Sequence, residues 1–296
     1  MKQHYPHRGL VRLCGLFGVT RQAYYQQQWR AVELSLEHSL VLEEVLRIRA
    51  LQPMPGTRKL QVLLEPFLLC HSIKLGRDGL FDLLQAHGLL VRRRRRRVAT
   101  TDSFHRYHKW EDLTKGLRVS RPGQLWVSDI TYYQTGEGFL YMAFITDACS
   151  HKIVGYQLGD RLVAGLALSA LQMALDSHQG KREGLIHHSD RGVQYCCDQY
   201  SSTLLKAGVR ISMTQNGDPR ENAVAERLNG IIKNELLVKK KIRNTEEGRS
   251  ILKDAVDIYN QMRPHLSCGM LTPEVAHKRE GPLEKKWKNY YKSARM

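Results

Sequence analysis

Acidic residues are scarce in this chain. Twenty-nine aspartates and glutamates stand against 46 lysines and arginines, a formal net charge of +17 with an isoelectric point near 9.7. Long apolar runs are missing too: no stretch approaches the roughly 18 uninterrupted apolar residues of a membrane span, so no membrane partner is expected. The opening MKQHYPHRG has no apolar h-region, and the expected compartment is the cytoplasm. Cysteine is sparse and unpatterned. Cys14, Cys70, Cys149, Cys196, Cys197 and Cys268 make no CxxC pair and no framework spacing, which argues against a zinc module or a disulfide scaffold and for reduced, mostly buried thiols. What remains is the cationic surplus, which attracts polyanions and speeds their encounter. Nucleic acid is the first partner it suggests. Anionic membrane is second, weakened because no long basic amphipathic helix with an aromatic face is present.

Along the chain, LVRLCGLFGVTRQAYYQ reads as a short helix, a turn at Gly18 and Val19, and a second helix capped by Thr20. This is a helix-turn-helix pattern, and any αα-hairpin would read the same way. A helix around Leu40 to Ile48 follows, then two apolar-periodic helices separated near His71 to Gly76, a second candidate DNA-reading unit. Arg92, Arg93, Arg94, Arg95, Arg96 and Arg97 form an uninterrupted run. Such a run is usually solvated chain, but here it joins helical units to a domain with its own carboxylates, which favours phosphate contact and steep salt dependence.

From Gly123 the texture turns to strands: a three-stranded antiparallel meander, an apolar helix, a short strand GLIHHSD, a helix around Asp198 to Lys206, and a strand VRISMT. The order predicts an α/β fold, a mixed sheet flanked by helices and preceded by small all-α units. The expected division is a helix-turn-helix-like segment over 1–35, a helical DNA-binding unit over 36–98, a linker over 99–120, a catalytic core over 121–280 and a basic tail over 281–296.

Three acids stand out. Asp129 interrupts the β-favouring run LWVSDITYY, where an acid is disfavoured unless it has a task. Asp190 ends the fourth strand, and Glu226 lies on the helix after QNGDPRENA. Any one of them alone would read as a surface charge. At 100° per residue, Asn222, Glu226, Asn229 and Lys233 share one stripe of that helix, with Val224, Leu228 and Ile231 opposite; the polar stripe is expected to face substrate. Three converging carboxylates would raise one pKa, a penalty that divalent metal removes. An oxygen-only donor set favours Mg²⁺ or Mn²⁺, and two ions about 3.5 to 4 Å apart can serve both the entering and leaving oxygens of an in-line displacement. His187 and His188 beside Cys196 and Cys197 lack zinc-finger spacing, and His188 reads as a residue packing or orienting the Asp190 strand end.

The segments LWVSDITYY, HHSDRGVQY and NGDPRENAVAERLNGIIKNEL, with YNQMRPHLSCGMLTPEVA, resemble the integrase-like core of bacterial insertion-sequence transposases, the second-frame product of the IS-three group. Thirty-five residues separate Asp190 from Glu226, and Lys233 follows Glu226 by seven, matching the family's D,D(35)E pattern and its basic residue. The resemblance covers Gly123 to His277 firmly and the upstream helices more loosely. It implies an RNase H-like fold, a DDE polynucleotidyl transferase, and Asp129, Asp190 and Glu226 as catalytic acids holding two Mg²⁺ or Mn²⁺ ions. Lys233, Asn222, Asn229 and the six arginines are the expected DNA contacts. Implied partners are the element's terminal repeats, target DNA, further copies of the chain in a synapse and an upstream-frame protein, in a bacterial, nucleoid-associated setting. The triplet ENA departs from the family's DNA, which makes Glu221 a rival acid that breaks the 35-residue interval. A DNA-binding regulator without catalysis and an RNase H-fold nuclease are the alternative readings.

Overall fold

The computed structural model describes residues 7, 9–91, 106–136, 138–178, 180, 182–215, 222–238, 240–279 and 281–286; the arginine run 92–97 and Glu221 lie outside the described residues. The chain divides into two units, Met1–Ala50 with Leu63–Leu90, and Leu51–Val62 with Val91–Met296. In the first, helix α1 (Leu10–Leu16) ends in a turn where Gly18 takes φ +65° and the Val19 N–H bonds the Cys14 carbonyl. Glycine is suited to this left-handed position because it has no Cβ to clash. Thr20 then caps α2 (Arg21–Leu51), its hydroxyl accepting from the Ala23 N–H at 3.0 Å. The expected break before Leu40 is absent. Residues 21–51 contain no glycine or proline, so one helix runs for 31 residues until Pro53 and Pro55, and the expected boundary at residue 35 falls inside it. Helices α3 (Thr57–Cys70) and α4 (Arg77–Ala86) follow. Buried residues recur at helical spacing: Val41 and Val45, Leu64 and Leu68, Leu80 and Leu84.

The second unit carries strands β1 (Leu125–Gln134), β2 (Phe139–Asp147) and β3 (Ile153–Gly159), helix α5 (Ala164–Ser177), β4 (Ile186–Ser189), the short α6 (Val193–Cys196), α7 (Asp198–Lys206), β5 (Arg210–Met213), α8 (Ala223–Ile231), a π-turn (Ile232–Leu236), α9 (Thr245–Met262) and α10 (Pro273–Lys278). The sheet order is β3-β2-β1-β4-β5. The first three strands are antiparallel, and β1, β4 and β5 run parallel. Both faces are covered, so each strand alternates between two cores rather than between core and water. Trp126, Ala143 and Ile145 meet Ala170, Leu171 and Tyr200 on one side; Leu140, Met142 and Phe144 meet Leu252, Val256 and Tyr259 on the other. Among the described residues no helix is long and apolar enough to cross a membrane.

Two contacts hold the layers that frame the site. Gly155 of β3 lies so close to α5 that a Cβ there would run into the Ala170 carbonyl oxygen and stand 2.9 Å from the Ala174 Cβ. On the other face, the π-turn is pinned through Glu235. Its carboxylate receives the Arg263 guanidinium at 2.6 and 3.1 Å and Arg227 at 3.1 Å, with the Lys59 ammonium at 3.8 Å. Arg263 is 3% exposed and also contacts His265 at 2.9 Å. Burial, and then the Arg263 charge, push the Lys59 ammonium down to about 7, against the pull of Glu235.

Two outcomes follow. Gly155→Ala is expected to cost about 3 kcal/mol or more in denaturant unfolding, because the obstacle is a helix backbone that cannot rotate away. Lys59 binds its proton more weakly folded than unfolded, so its penalty is present below about pH 7 and fades as pH rises toward 10.5. Lys59→Met is therefore expected to raise the Tm by a few °C at pH 6 and to lose that gain by pH 10, read by calorimetry across pH.

Candidate active site

The parallel pairing of β1 with β4 sets Leu125 opposite Ile186, Trp126 opposite His187 and Val127 opposite His188. Two residues further along each strand direction stand Asp129 and Asp190. The register thus brings the two acids level, Asp190 just past the carboxyl end of β4 and Asp129 midway along β1, where β1 outruns its shorter neighbour. Beyond Val127, β1 pairs with no strand on the β4 side among the described residues, so the ground beside Asp129 is open.

Each aspartate is oriented by N–H donors. The Asp129 Oδ1 accepts from the Ile130 backbone at 2.9 Å, and Oδ2 from the Asn229 amide at 2.7 Å. The Asp190 Oδ1 accepts from the Gly192 N–H at 3.0 Å, in a turn where a Cβ on Gly192 would crowd that same oxygen at 3.1 Å. Glu226 is exposed in the first turn of α8. That helix is seated by Ala225 and Leu228, buried against Leu125 and Val127 and against the α9 face. Asn222 at the helix start donates to the Ser128 carbonyl at 2.9 Å.

The electrostatics agree with convergence. Burial first, then the Asp190 charge and, less, Glu226 push the Asp129 carboxyl up to about 7, against the Ile130 N–H and the Asn229 amide, which work the other way. The acids sense one another, yet among the described residues no three His, Cys, Asp or Glu side chains form a ready-made metal cage. Lys233, in the π-turn, is half-buried; its ammonium sits 5.1 Å from the Tyr132 ring centroid, and its pKa is lowered by burial and pulled up by Asp129.

The polar stripe of α8 therefore differs from the sequence expectation. Asn222 and Asn229, expected to contact DNA, are 7% and 6% exposed and spend their amides on the Ser128 carbonyl and the Asp129 carboxylate. A neutral amide can approach a buried carbonyl or carboxylate without a charge of its own to desolvate, so the stripe turns inward on either side of Glu226. The arginine run and Glu221 lie outside the described residues. His187 and His188 are buried and bond Tyr200 at 2.9 Å and Ser212 at 2.8 Å, the packing role expected of His188. Sequence reasoning missed Gly192 as an Asp190 donor and the Glu235–Arg263 pair; the second is undetectable from spacing, since 28 residues separate the partners.

Comparison with known proteins places this geometry in a family. The integrase core domain family matches residues 119–219, and a second integrase core description matches 207–273. The chain is 36% identical over 266 residues to the insertion element IS600 uncharacterized 31 kDa protein of Shigella sonnei, covering 88% of this chain and 96% of that one. It is 34% identical over 211 residues to the transposase for insertion sequence element IS629 of the same organism, 71% of each. It is also 36% identical over 163 residues to the transposase InsF for insertion sequence IS3A of Escherichia coli, 55% of this chain and 56% of that one. An integrase core built on the β3-β2-β1-β4-β5 sheet, joined to 36% identity over 88% of the chain with one insertion-element protein and 34% over 71% with an insertion-sequence transposase, makes this chain a member of the IS3-type DDE transposases, polynucleotidyl transferases of DNA transposition with an RNase H-like core.

Proposed function

We propose that the chain hydrolyses a phosphodiester at each end of its element and transfers the freed 3′-OH to another phosphodiester, both at the site of Asp129, Asp190 and Glu226. The observation that carries this reading is the pair of level aspartates, Asp129 on β1 and Asp190 just past β4, with Asp129 raised to about 7 through burial and the neighbouring acids. The donor set fits a hard divalent cation: it is all oxygen, and the mutual repulsion that helps raise Asp129 is a penalty such a cation removes. Asp129, Asp190 and Glu226 would hold two Mg²⁺ or Mn²⁺ ions. When bound, these ions supply charge stabilisation for the entering and leaving oxygens of an in-line displacement.

The protein's own groups do the rest by position. Asn229 and the Ile130 N–H fix the plane of the Asp129 carboxylate, and the Gly192 N–H fixes Asp190. Asn222 anchors α8 so that Glu226 projects beside them. Lys233 offers a point charge to a backbone phosphate. No acid becomes covalently attached to DNA, so both steps remain direct displacements at phosphorus. The helical units and the run Arg92–Arg97 serve DNA binding, copies of the chain assemble on the element's ends, and an upstream-frame protein is a candidate partner, all in a nucleoid setting. Lost phosphate contacts would show as a shallower salt slope of binding.

Two measurements test the reading. With DNA carrying the element's terminal repeats and Mg²⁺, Asp129→Asn is expected to reduce strand transfer about a hundredfold or more while leaving repeat binding intact; normal joining by the variant would sink the assignment. The second is thermal. Asp129 binds its proton more tightly folded than unfolded, so its contribution is full below about pH 4 and is lost as pH rises through about 7. Metal-free Asp129→Asn is accordingly expected to melt higher than the parent at pH 8 and level with it at pH 4, and Mn²⁺ to raise the parent's Tm more than the variant's. Equal Mn²⁺ shifts would remove Asp129 from the ligand set.

A further inference from the structure

Toward the hairpin that joins β1 to β2, two aromatic side chains are left in solvent. Tyr132, three residues beyond Asp129, is 51% exposed, and Phe139 at the start of β2 is 47% exposed. Their rings meet edge to face, centroids 5.3 Å apart at 84°. Neither belongs to the cores on the two faces of the sheet. A pair of this kind could be no more than a staple across the hairpin, and cross-strand aromatics do stabilise sheets. A staple does not account for the ammonium beside it. Lys233 reaches in from the π-turn to 5.1 Å from the Tyr132 ring, within the electrostatic range of Asp129. Lys233 thus senses Asp129 and also reaches the aromatic pair at the hairpin end of the strand.

Aromatic faces beside a cation are what an unpaired nucleotide requires: the base stacks on the ring and the phosphate meets the charge. A scissile phosphate also reaches the carboxylates more easily where the strand has left the duplex, since a nucleotide out of its stack can be held by side chains. We propose that Tyr132 and Phe139 form a stacking shelf for one unpaired nucleotide of the DNA strand next to the scissile phosphate, with Lys233 holding the adjoining phosphate. The shelf rests on the catalytic reading given above and adds to it a requirement for frayed or single-stranded substrate at the site. Sequence-independent stacking fits a reaction that must accept both an element end and arbitrary target DNA.

The test uses the full chain with Ca²⁺ and two labelled probes of the same duplex, one blunt and one ending in a short 3′ thymidine overhang that carries 2-aminopurine. The wild-type protein is expected to prefer the overhang probe and to quench its 2-aminopurine, the signature of stacking. The double variant Tyr132→Leu with Phe139→Leu is expected to lose about tenfold in overhang affinity and to abolish quenching, with blunt-duplex affinity within twofold. Tyr132→Phe, which keeps the ring, is expected to retain both. Unchanged quenching in the leucine variant, or an equal loss on both probes, would overturn the shelf. Should the double variant fail to fold, Tyr132→Leu alone carries the same comparison. Failure of the catalytic reading looks different: Asp129→Asn would join DNA normally while wild-type quenching persisted.

Discussion

The parallel pairing of β1 with β4 governs the site. Three pairs of residues, ending at Val127 and His188, suffice to bring Asp129 and Asp190 level. Because side chains alternate with a period of two, a one-residue slip would send one carboxylate to the opposite face of the sheet. Burial on both faces forbids such a slip: Trp126 must enter the α5 core and Val127 the cluster with Ala225. The hydrophobic pattern of β1 thus fixes the position of two charges that contribute nothing to the core. The cost of placing them there is visible in Asp129, whose carboxyl is driven up to about 7.

The surroundings offset that cost without neutralising it. Asn229 and the Ile130 N–H donate to Asp129, and the Gly192 N–H to Asp190, all three without a formal charge. A lysine or arginine bonded directly to Asp129 would satisfy it and leave little for a cation to gain. Around Asp129 the nearest formal positive charge stands at a second remove. Lys233 sits over Tyr132, and the heavier concentration of cations, Arg263, Arg227 and Lys59, is spent on Glu235 at the far end of the π-turn.

Much of this was legible in the sequence, and the remainder failed for identifiable reasons. The meander, the apolar α5 and the short strands β4 and β5 are read from period-two runs and turn residues, signals that burial reinforces. The acids are read from their types and their 35-residue interval. The continuous α2 was misjudged because polar residues between Arg21 and Ser39 blur the apolar period, although nothing there stops a helix. The stripe of α8 was identified as a stripe, but what Asn222 and Asn229 bond on either side of Glu226 could not be read from it. Helical phase says which residues share a side, and only the sheet's register says what that side meets. Asn222 and Asn229 meet the Ser128 carbonyl and Asp129, contacts across 94 and 100 residues that no local pattern encodes.

The π-turn joins these threads. At ideal helical pitch, Lys233 would fall two turns beyond Glu226 on the same stripe and continue the line of buried amides. An i to i+5 bond, seen where the Leu237 N–H reaches the Ile232 carbonyl at 2.9 Å, widens the helix by one residue over Ile232–Leu236. Such a turn has poorer packing along its axis and persists only where tertiary contacts impose it. Here Glu235 is drawn to Arg263 on one side of the turn, while Ile232 and Leu236 are buried in the α9 core on the other. The same few residues therefore hold the widened turn and decide where its lysine projects. Sequence spacing alone put Lys233 in line with Glu226; the Glu235–Arg263 pair holds the turn from which its ammonium reaches the Tyr132 ring, at the open edge of β1.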